Sequence, residues 1–127
     1  MSRNRENTIE KKSFDFALRV INLHKHLYNE KREFCISKQI LRSGTSIGAN
    51  IAEGKYAESA LDFIHKLAIA QKETSETLYW IELLYAADYI SEKEYESLLF
   101  DCTEIIKLLT TIIKTKKSAL KQNANNN

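Results

Sequence analysis

The chain has 127 residues, of which 43% are hydrophobic and 28% are charged, so it can form one domain with a core and is too apolar to be intrinsically disordered. The absence of proline and the presence of only three glycines favour long, uninterrupted helices. The net charge of +2 is unevenly spread, because residues 1–33 carry +3, residues 34–106 carry −6 and residues 107–127 carry +5.

The first predicted helix covers residues 13–33, with Ser13 as its N-cap. Phe16, Val20 and Leu23 lie beside its main apolar stripe and make the apolar surface wider than one intramolecular face needs. The main stripe itself consists of Phe14, Ala17, Leu18, Ile21, His24, Leu27 and Tyr28. We therefore predict that Phe16 and Leu23 contact another subunit.

The second predicted helix covers residues 37–53 and carries Gly44 and Gly48 one turn apart on its apolar face. Two missing side chains let a second backbone approach closely, so we predict a tight helix crossing at this face. Asn50 flanks the same face and is placed to hydrogen-bond a neighbouring group. Gly54 follows the helix where a helix-stopping glycine belongs.

The third and fourth predicted helices cover residues 59–87 and 91–116. Ser59 before Asp62, and Ser91 before Glu94, resemble capping boxes at the two helix starts. The fourth helix has one clean apolar stripe, whereas the third is apolar on two sides. The second side of the third helix predicts a subunit contact through Ile69, Tyr79, Trp80 and Leu83.

The short links between these helices favour an antiparallel up-down-up-down four-helix bundle over residues 13–117. Residues 1–12 are predicted as a basic N-terminal extension, and residues 118–127, which lack periodicity, as a disordered tail. No apolar run reaches the roughly 20 residues of a membrane span and no signal peptide is evident, so we expect a cytoplasmic protein without membrane contact. Cys35 and Cys102 are expected to be free, buried thiols rather than a disulfide.

The glycine-containing segment 43–54 does not fit a phosphate-binding loop. Gly54 is followed by Lys55 and Tyr56 rather than by lysine and Ser or Thr, and no strand precedes the segment. His24 and His26 point about 200° apart on a helix and cannot hold one metal ion together. We therefore expect neither a metal nor a cofactor.

One enzymatic pattern has to be weighed against a structural explanation. Arg19 and His24 have the Arg-x4-His spacing that resembles the motif of the HEPN ribonucleases, which are also helical bundles. Val20 stands where that family usually has a polar residue, and the spacing falls on the first helix rather than late in the domain. Because His24 also lies within an apolar stripe, we predict a structural histidine and no catalytic residues.

Residues 40–54, ILRSGTSIGANIAEG, resemble the signature of the four-helix-bundle proteins encoded by intervening sequences in bacterial 23S ribosomal RNA genes, a family with the older label S23 ribosomal protein. The matching positions are Arg42, Ser43, Ser46, Ile47, Ala49, Asn50, Ile51, Ala52, Glu53 and Gly54, with Gly44 at the family's small-residue position. Gly48 stands where many members have proline. Residues 61–70 resemble the start of the family's third helix, and the similarity extends over about residues 13–115.

This resemblance implies an antiparallel four-helix bundle that assembles as a homopentamer. It also implies kinship with the accessory proteins of diversity-generating retroelements, which bind a reverse transcriptase and nucleic acid through a basic pentameric surface. The family brings no catalytic residues and no established biochemical role.

The sequence therefore supports two hypotheses about function. The first is an oligomeric bundle that binds nucleic acid, with RNA favoured over DNA, through basic residues near its termini. The candidates are Lys11, Lys12, Arg19, Lys25, Arg32, Lys114, Lys116, Lys117 and Lys121. The alternative is a protein-interaction scaffold, for a reverse transcriptase or another protein, without direct contact to nucleic acid.

Overall fold

The computed structural model describes residues 2–126, with side chains described from residue 9 onward. Four helices account for nearly all of this part of the chain: α1 (Ser2–Asn29), α2 (Ile36–Gly54), α3 (Ala60–Ala86) and α4 (Glu92–Asn126). No strand occurs between residues 2 and 126, so the predicted all-α fold is confirmed. Within the same residues, no helix has a stretch long and apolar enough to cross a membrane.

The predicted starts of α3 and α4 are confirmed by their capping bonds. The backbone N–H of Asp62 donates to the Ser59 hydroxyl at 3.0 Å, and that of Glu94 donates to the Ser91 hydroxyl at 3.1 Å. Each serine satisfies a backbone donor that has no partner within the first turn of its helix.

The predicted start of α1 is wrong, because Ser13 lies inside the helix rather than at its N-cap. Its side chain is buried and donates to the Glu10 carbonyl at 3.1 Å. Ile9 is also in the core, one turn before Ser13 and in phase with it. The predicted N-terminal extension, residues 1–12, is therefore helical from Ser2, and from Ile9 it packs as part of the bundle.

The predicted disordered tail is also helical, because α4 continues to Asn126. Leu120 packs against the edge of the core, and the residues around it include several good helix formers with no glycine or proline to stop the helix. The sequence prediction failed here because it relied on an apolar repeat, which this segment lacks. Met1 and Asn127 lie outside the described residues.

The helices pack in ring order, with α1 and α3 each contacting both α2 and α4. Paired residues run in opposite directions along α1 and α4. On α1 and α4, Lys12 contacts Glu104 and Arg19 contacts Asp101. The end of α1 therefore lies beside the start of α4, and the far end of α4 lies at the opposite end of the molecule.

The core is largely aliphatic and draws on all four helices. Its members are Ile9, Phe16, Val20, Leu23, Leu27, Ile40, Ile47, Ile51, Ile64, Leu67, Ala70, Ile81, Leu84, Ile90, Leu98, Cys102, Ile105, Leu109 and Ile113. The stripe of α4 follows the prediction closely. The stripe of α1 differs from the prediction, because the structure buries Phe16 and Leu23, which were predicted to lie outside the core of the chain.

Phe16 and Leu23 are buried in the core of the chain itself, so the prediction that they contact another subunit is wrong. Val20, which lies between them, packs directly on Gly44 of α2. That contact fixes the rotation of α1 and turns Phe14 and Leu18 outward, where they are 64% and 49% exposed. The helix α1 therefore does carry more apolar surface than the core covers, as predicted. The exposed part is formed by Phe14 and Leu18 of the main stripe, not by Phe16 and Leu23.

The predicted close crossing of α1 and α2 is confirmed at both glycines. A Cβ built on Gly44 would lie 2.8 Å from both methyl carbons of Val20, and one on Gly48 would lie 3.4 Å from the backbone oxygen of Ser13. Gly54 was predicted to follow the helix as a helix-stopping glycine. It instead lies within α2 and has no positive φ. Its missing side chain makes room for Leu67 and Phe63 of α3.

Candidate nucleic-acid interface

The C-terminal part of α4 is the most uniformly basic surface of the structure. After Glu104 the chain has no acidic residue. Lys107, Lys114 and Lys121 are spaced by seven residues, so they follow one line along the exposed side of α4, and Lys117 lies beside that line. We call these four residues the lysine stripe. At 1.5 Å per residue, the stripe extends over about 21 Å.

The lysine stripe presents its charges to solvent. All four of its side chains are exposed, and none forms an ion pair with a carboxylate in residues 9–126. Lys116, the remaining predicted residue on α4, is directed elsewhere. Its Nζ lies 5.2 Å from the centre of the Phe63 ring, a cation–π contact that holds it against α3.

Three of the four predicted basic residues of α1, all but Lys25, are held by carboxylates instead. Lys12 binds Glu104 at 2.8 Å, and Arg19 binds Asp101 at 2.9 Å, both across the α1–α4 contact. Lys11 pairs with Asp15 at 2.9 Å within α1 itself. These partners offset the positive charge locally, so the surface near them attracts phosphate less strongly than the number of basic residues suggests.

The nine predicted binding residues therefore do not form one surface. Lys25 and Arg32 lie towards the end of α1 and in the turn that follows it, while the lysine stripe lies at the other end of the molecule. Sequence reasoning missed Lys107, which belongs to the stripe. Its spacing of seven residues from Lys114 was the available signal.

The residues of the ribonuclease-like spacing do not converge on a common site. Arg19 faces α4 through its bond to Asp101, whereas the His24 Nδ1 lies 3.0 Å from the Ser37 carbonyl oxygen and is directed at α2. A histidine nitrogen hydrogen-bonded to a backbone carbonyl carries the proton of that bond, which is a structural role. Among the described residues, no group of His, Cys, Asp or Glu side chains is arranged to hold a metal ion.

The polar residues of the predicted family signature on α2 all make structural contacts. The guanidinium of Arg42 binds the carboxylates of Glu73, at 3.2 Å, and Glu76 on α3. Glu76 also accepts a hydrogen bond from the indole of Trp80 at 2.9 Å. Glu53 binds Lys66 of α3 at 3.1 Å. These bonds fasten the outer side of α2 to α3.

The smaller signature residues act within α2 or at its buried side. Ser43 is fully buried and hydrogen-bonded to the Thr77 hydroxyl at 2.8 Å. Ser46 donates to the Arg42 carbonyl at 2.7 Å, and Asn50 donates to the Ser46 carbonyl at 2.8 Å, so both bond along their own helix. Ile47 and Ile51 belong to the core. Packing and hydrogen bonding thus explain the signature except for Ala49 and Ala52, which are exposed.

The two cysteines have different environments. Cys102 is fully buried, and desolvation, with a smaller contribution from the Asp101 carboxylate, raises the pKa of its thiol to about 12. Cys35 is exposed, so the prediction that it is buried is wrong, and both thiols are free. Cys35 is therefore the accessible thiol of the folded chain.

The predicted interface residues of α3 lie at or near its surface. Tyr79 is 57% exposed and packs edge-on against Trp80, with ring centres 5.0 Å apart. Ile69, Trp80 and Leu83 are half-buried. The structure therefore leaves apolar surface on α3, as it does at Phe14 on α1.

These features define a small all-α protein whose described residues contain no converged catalytic or metal-binding group. The chain belongs to the 23S rRNA-intervening sequence protein family, whose model matches residues 5–111. It is also similar to a protein of unknown function from the S23 ribosomal protein family of Bacteroides thetaiotaomicron, known from a crystal structure. The two are 57% identical, with a TM-score of 0.85, and the match covers 87% of this chain and 98% of that one. No match is found among curated proteins.

Proposed function

We propose that this protein is a non-enzymatic, cytoplasmic, up-down-up-down bundle that assembles as a homopentamer and binds RNA through the lysine stripe of α4. The observation that carries the proposal is the absence of any acidic residue after Glu104, combined with Lys107, Lys114, Lys117 and Lys121 along one exposed side. Lysines without carboxylate partners release counterions from the nucleic acid on binding. In a pentamer the stripe is repeated five times, so weak contacts add as avidity.

Removing two charges from the lysine stripe should weaken RNA binding strongly. At low salt we expect the double variant Lys114→Gln/Lys121→Gln to lose at least about tenfold in affinity for a fluorescein-labelled RNA hairpin with an unpaired overhang. The slope of log K against log salt should fall in magnitude by about 1.4 to 1.8 for each stripe that the RNA contacts, since each lost phosphate contact contributes about 0.7 to 0.9. Fluorescence anisotropy at several salt concentrations measures both quantities.

The matched control is Lys72→Gln/Lys93→Gln, which removes the same charge from exposed positions that do not belong to the stripe. This variant should keep nearly the parent affinity. If the two double variants lose affinity equally, binding depends on net charge and the stripe has no special role. If the parent chain binds no RNA at low salt, the proposal fails, and the protein-interaction scaffold, which the exposed Phe14 and Leu18 favour, replaces it.

Assembly through the exposed apolar side of α3 is a separate expectation. Light scattering should give a mass five times the 14.7 kDa of one chain. Tyr79→Asp places a charge among Ile69, Trp80 and Leu83, so it should shift the mass towards that of a monomer. Phe100→Asp is the control, because Phe100 is 67% exposed on α4, outside the predicted interface. A monomeric parent would contradict the pentamer, and dissociation only by Phe100→Asp would move the interface to α4.

A further inference from the structure

A cluster of exposed aromatic rings lies where α1 turns into α2. Tyr28 and Phe34 meet edge to face with ring centres 4.7 Å apart, and His24 lies 5.6 Å from Tyr28 on the other side. Tyr28 is 39% exposed and Phe34 is 46% exposed, so both rings present area to solvent. We call His24, Tyr28 and Phe34 the aromatic corner. None of its three residues belongs to the core, and no contact described above covers the exposed parts of its rings.

Four exposed basic residues flank the aromatic corner in the sequence. Lys25 lies one helical turn before Tyr28, Lys31 and Arg32 lie in the turn before Phe34, and Lys38 lies in the first turn of α2. None of these four side chains forms an ion pair with a carboxylate among residues 9–126. Arg32 has a positive φ of 57°, in the left-handed region of the backbone map.

The acidic residues of the same turn leave most of this charge uncompensated. Glu33 is buried, and its carboxylate accepts the backbone N–H groups of Ser37 at 2.7 Å and Cys35 at 3.3 Å. It therefore caps the start of α2 and is directed away from solvent. Glu30 is the exposed acidic residue of this turn, which gives one exposed carboxylate for four exposed cations.

We propose that the aromatic corner and its four cations bind unpaired nucleotides, with a base stacked on Tyr28 or Phe34 and the flanking phosphates on Lys25, Lys31, Arg32 and Lys38. Exposed aromatic rings combined with basic side chains are the arrangement that recognises single-stranded nucleic acid. A docked apolar protein surface fits less well, because it would desolvate four cations, and charged residues are depleted from the centres of protein interfaces. This inference rests on the proposed RNA-binding function, but it uses a different end of the molecule from the lysine stripe.

Binding of oligouridylate tests the stacking contact. Phe34→Ala and Tyr28→Ala should each lower affinity by about tenfold without changing the salt dependence, because neither substitution alters charge. Phe34→Tyr keeps an aromatic ring and should restore most of the affinity. Phe100→Ala is the control, since it removes an even more exposed ring, 67% exposed, from α4 and should have no effect. A blunt RNA duplex, whose bases are already stacked, should bind the parent and the Phe34→Ala variant alike.

Cys35 provides an independent readout because it directly follows Phe34 in the sequence and is exposed. The buried Cys102 stays protonated and shielded in the folded chain, so maleimide should modify Cys35 alone. Bound oligouridylate should slow that modification severalfold in the parent and not in the Tyr28→Ala variant. Oligodeoxythymidylate run in parallel shows whether the site accepts DNA as well as RNA, since stacking uses the base and not the sugar.

The outcomes separate this proposal from the lysine-stripe proposal. If Phe34→Ala and Tyr28→Ala bind oligouridylate as the parent does, and Cys35 is not protected, the aromatic corner is not a nucleotide site, while hairpin binding through the stripe can still hold. If these variants weaken the blunt duplex as much as oligouridylate, recognition of unpaired bases is also overturned. Loss of oligouridylate binding in Phe34→Ala, with binding of the blunt duplex lost only in Lys114→Gln/Lys121→Gln, supports both sites.

Discussion

Gly44→Ala should destabilise the protein although alanine is the better helix former. A Cβ at this position lies 2.8 Å from both methyl carbons of Val20, and valine cannot turn away easily because its branched side chain is stiff. Overpacking of this kind costs about 1–3 kcal/mol, and the helix propensity of alanine returns at most about 1 kcal/mol. We therefore expect a net loss of about 1–2 kcal/mol in the free energy of unfolding, measured by urea denaturation at equal chain concentration.

Gly48→Ala is the matched control on the same face of α2, one turn further along. There the nearest atom to the new Cβ is the Ser13 carbonyl oxygen at 3.4 Å, which is ordinary van der Waals contact. The substitution should be neutral or stabilise the chain by up to about 1 kcal/mol. Gly44→Ala should therefore lower the free energy of unfolding, whereas Gly48→Ala should leave it unchanged or raise it.

Val20→Ala identifies the cause of the Gly44→Ala effect. It removes both clashing methyl groups, so the double variant Val20→Ala/Gly44→Ala should be more stable than the sum of the single variants by about 0.5–3 kcal/mol, the usual coupling between residues in contact. Additive effects, or a Gly44→Ala chain as stable as the parent, would mean that the two helices do not meet as closely as the structure has them.

Helix starts in this chain are largely predictable from the sequence because they depend on local bonds. Ser59 and Ser91 each satisfy a backbone N–H three residues later, and that spacing can be read directly from the sequence. The same reasoning failed at Ser13, where a good capping residue is buried inside a longer helix. Nothing local distinguishes these cases, because it is the packing of Ile9 on the core that extends α1.

The rotation of α1 could not be predicted for a related reason. Phe14 and Leu18 form one apolar stripe, while Phe16 and Val20 form another, and the two have the same helical spacing. The groove left by Gly44 on α2 selects Val20, and this is a contact between residues 24 positions apart. Apolar periodicity therefore showed that α1 had surplus apolar surface but not which residues formed it.

The candidate interface also combines a local feature that the sequence predicts with long-range contacts that it does not. The excess of lysine after residue 106 is visible in the sequence, and the stripe follows from it by helical spacing alone. The loss of Lys12 and Arg19 as free cations is not visible, because their carboxylate partners lie 92 and 82 residues away in the chain. The aromatic corner is not evident from the sequence, because Tyr28 falls in the main apolar stripe of the first helix and Phe34 lies outside any apolar repeat.

Ile47→Ala should cause the largest loss of stability among these variants. Ile47 is fully buried at the centre of the signature on α2, and truncation of such a side chain costs about 2–5 kcal/mol. Leu61→Ala removes an aliphatic side chain of similar size that is 71% exposed, so it should change the free energy of unfolding by less than about 0.5 kcal/mol. Urea denaturation of the two variants under identical conditions gives the comparison.

Measuring the RNA affinity of Ile47→Ala tests whether the family signature also takes part in binding. Since Ile47 has no exposed surface, Ile47→Ala should bind the RNA hairpin as the parent does at a temperature where both are folded. This would separate the family signature, which holds α2 between its neighbours, from the lysine stripe, which lies on α4. A variant that keeps its stability but loses RNA binding would instead make the signature part of the binding surface, because a buried packing residue cannot produce that result.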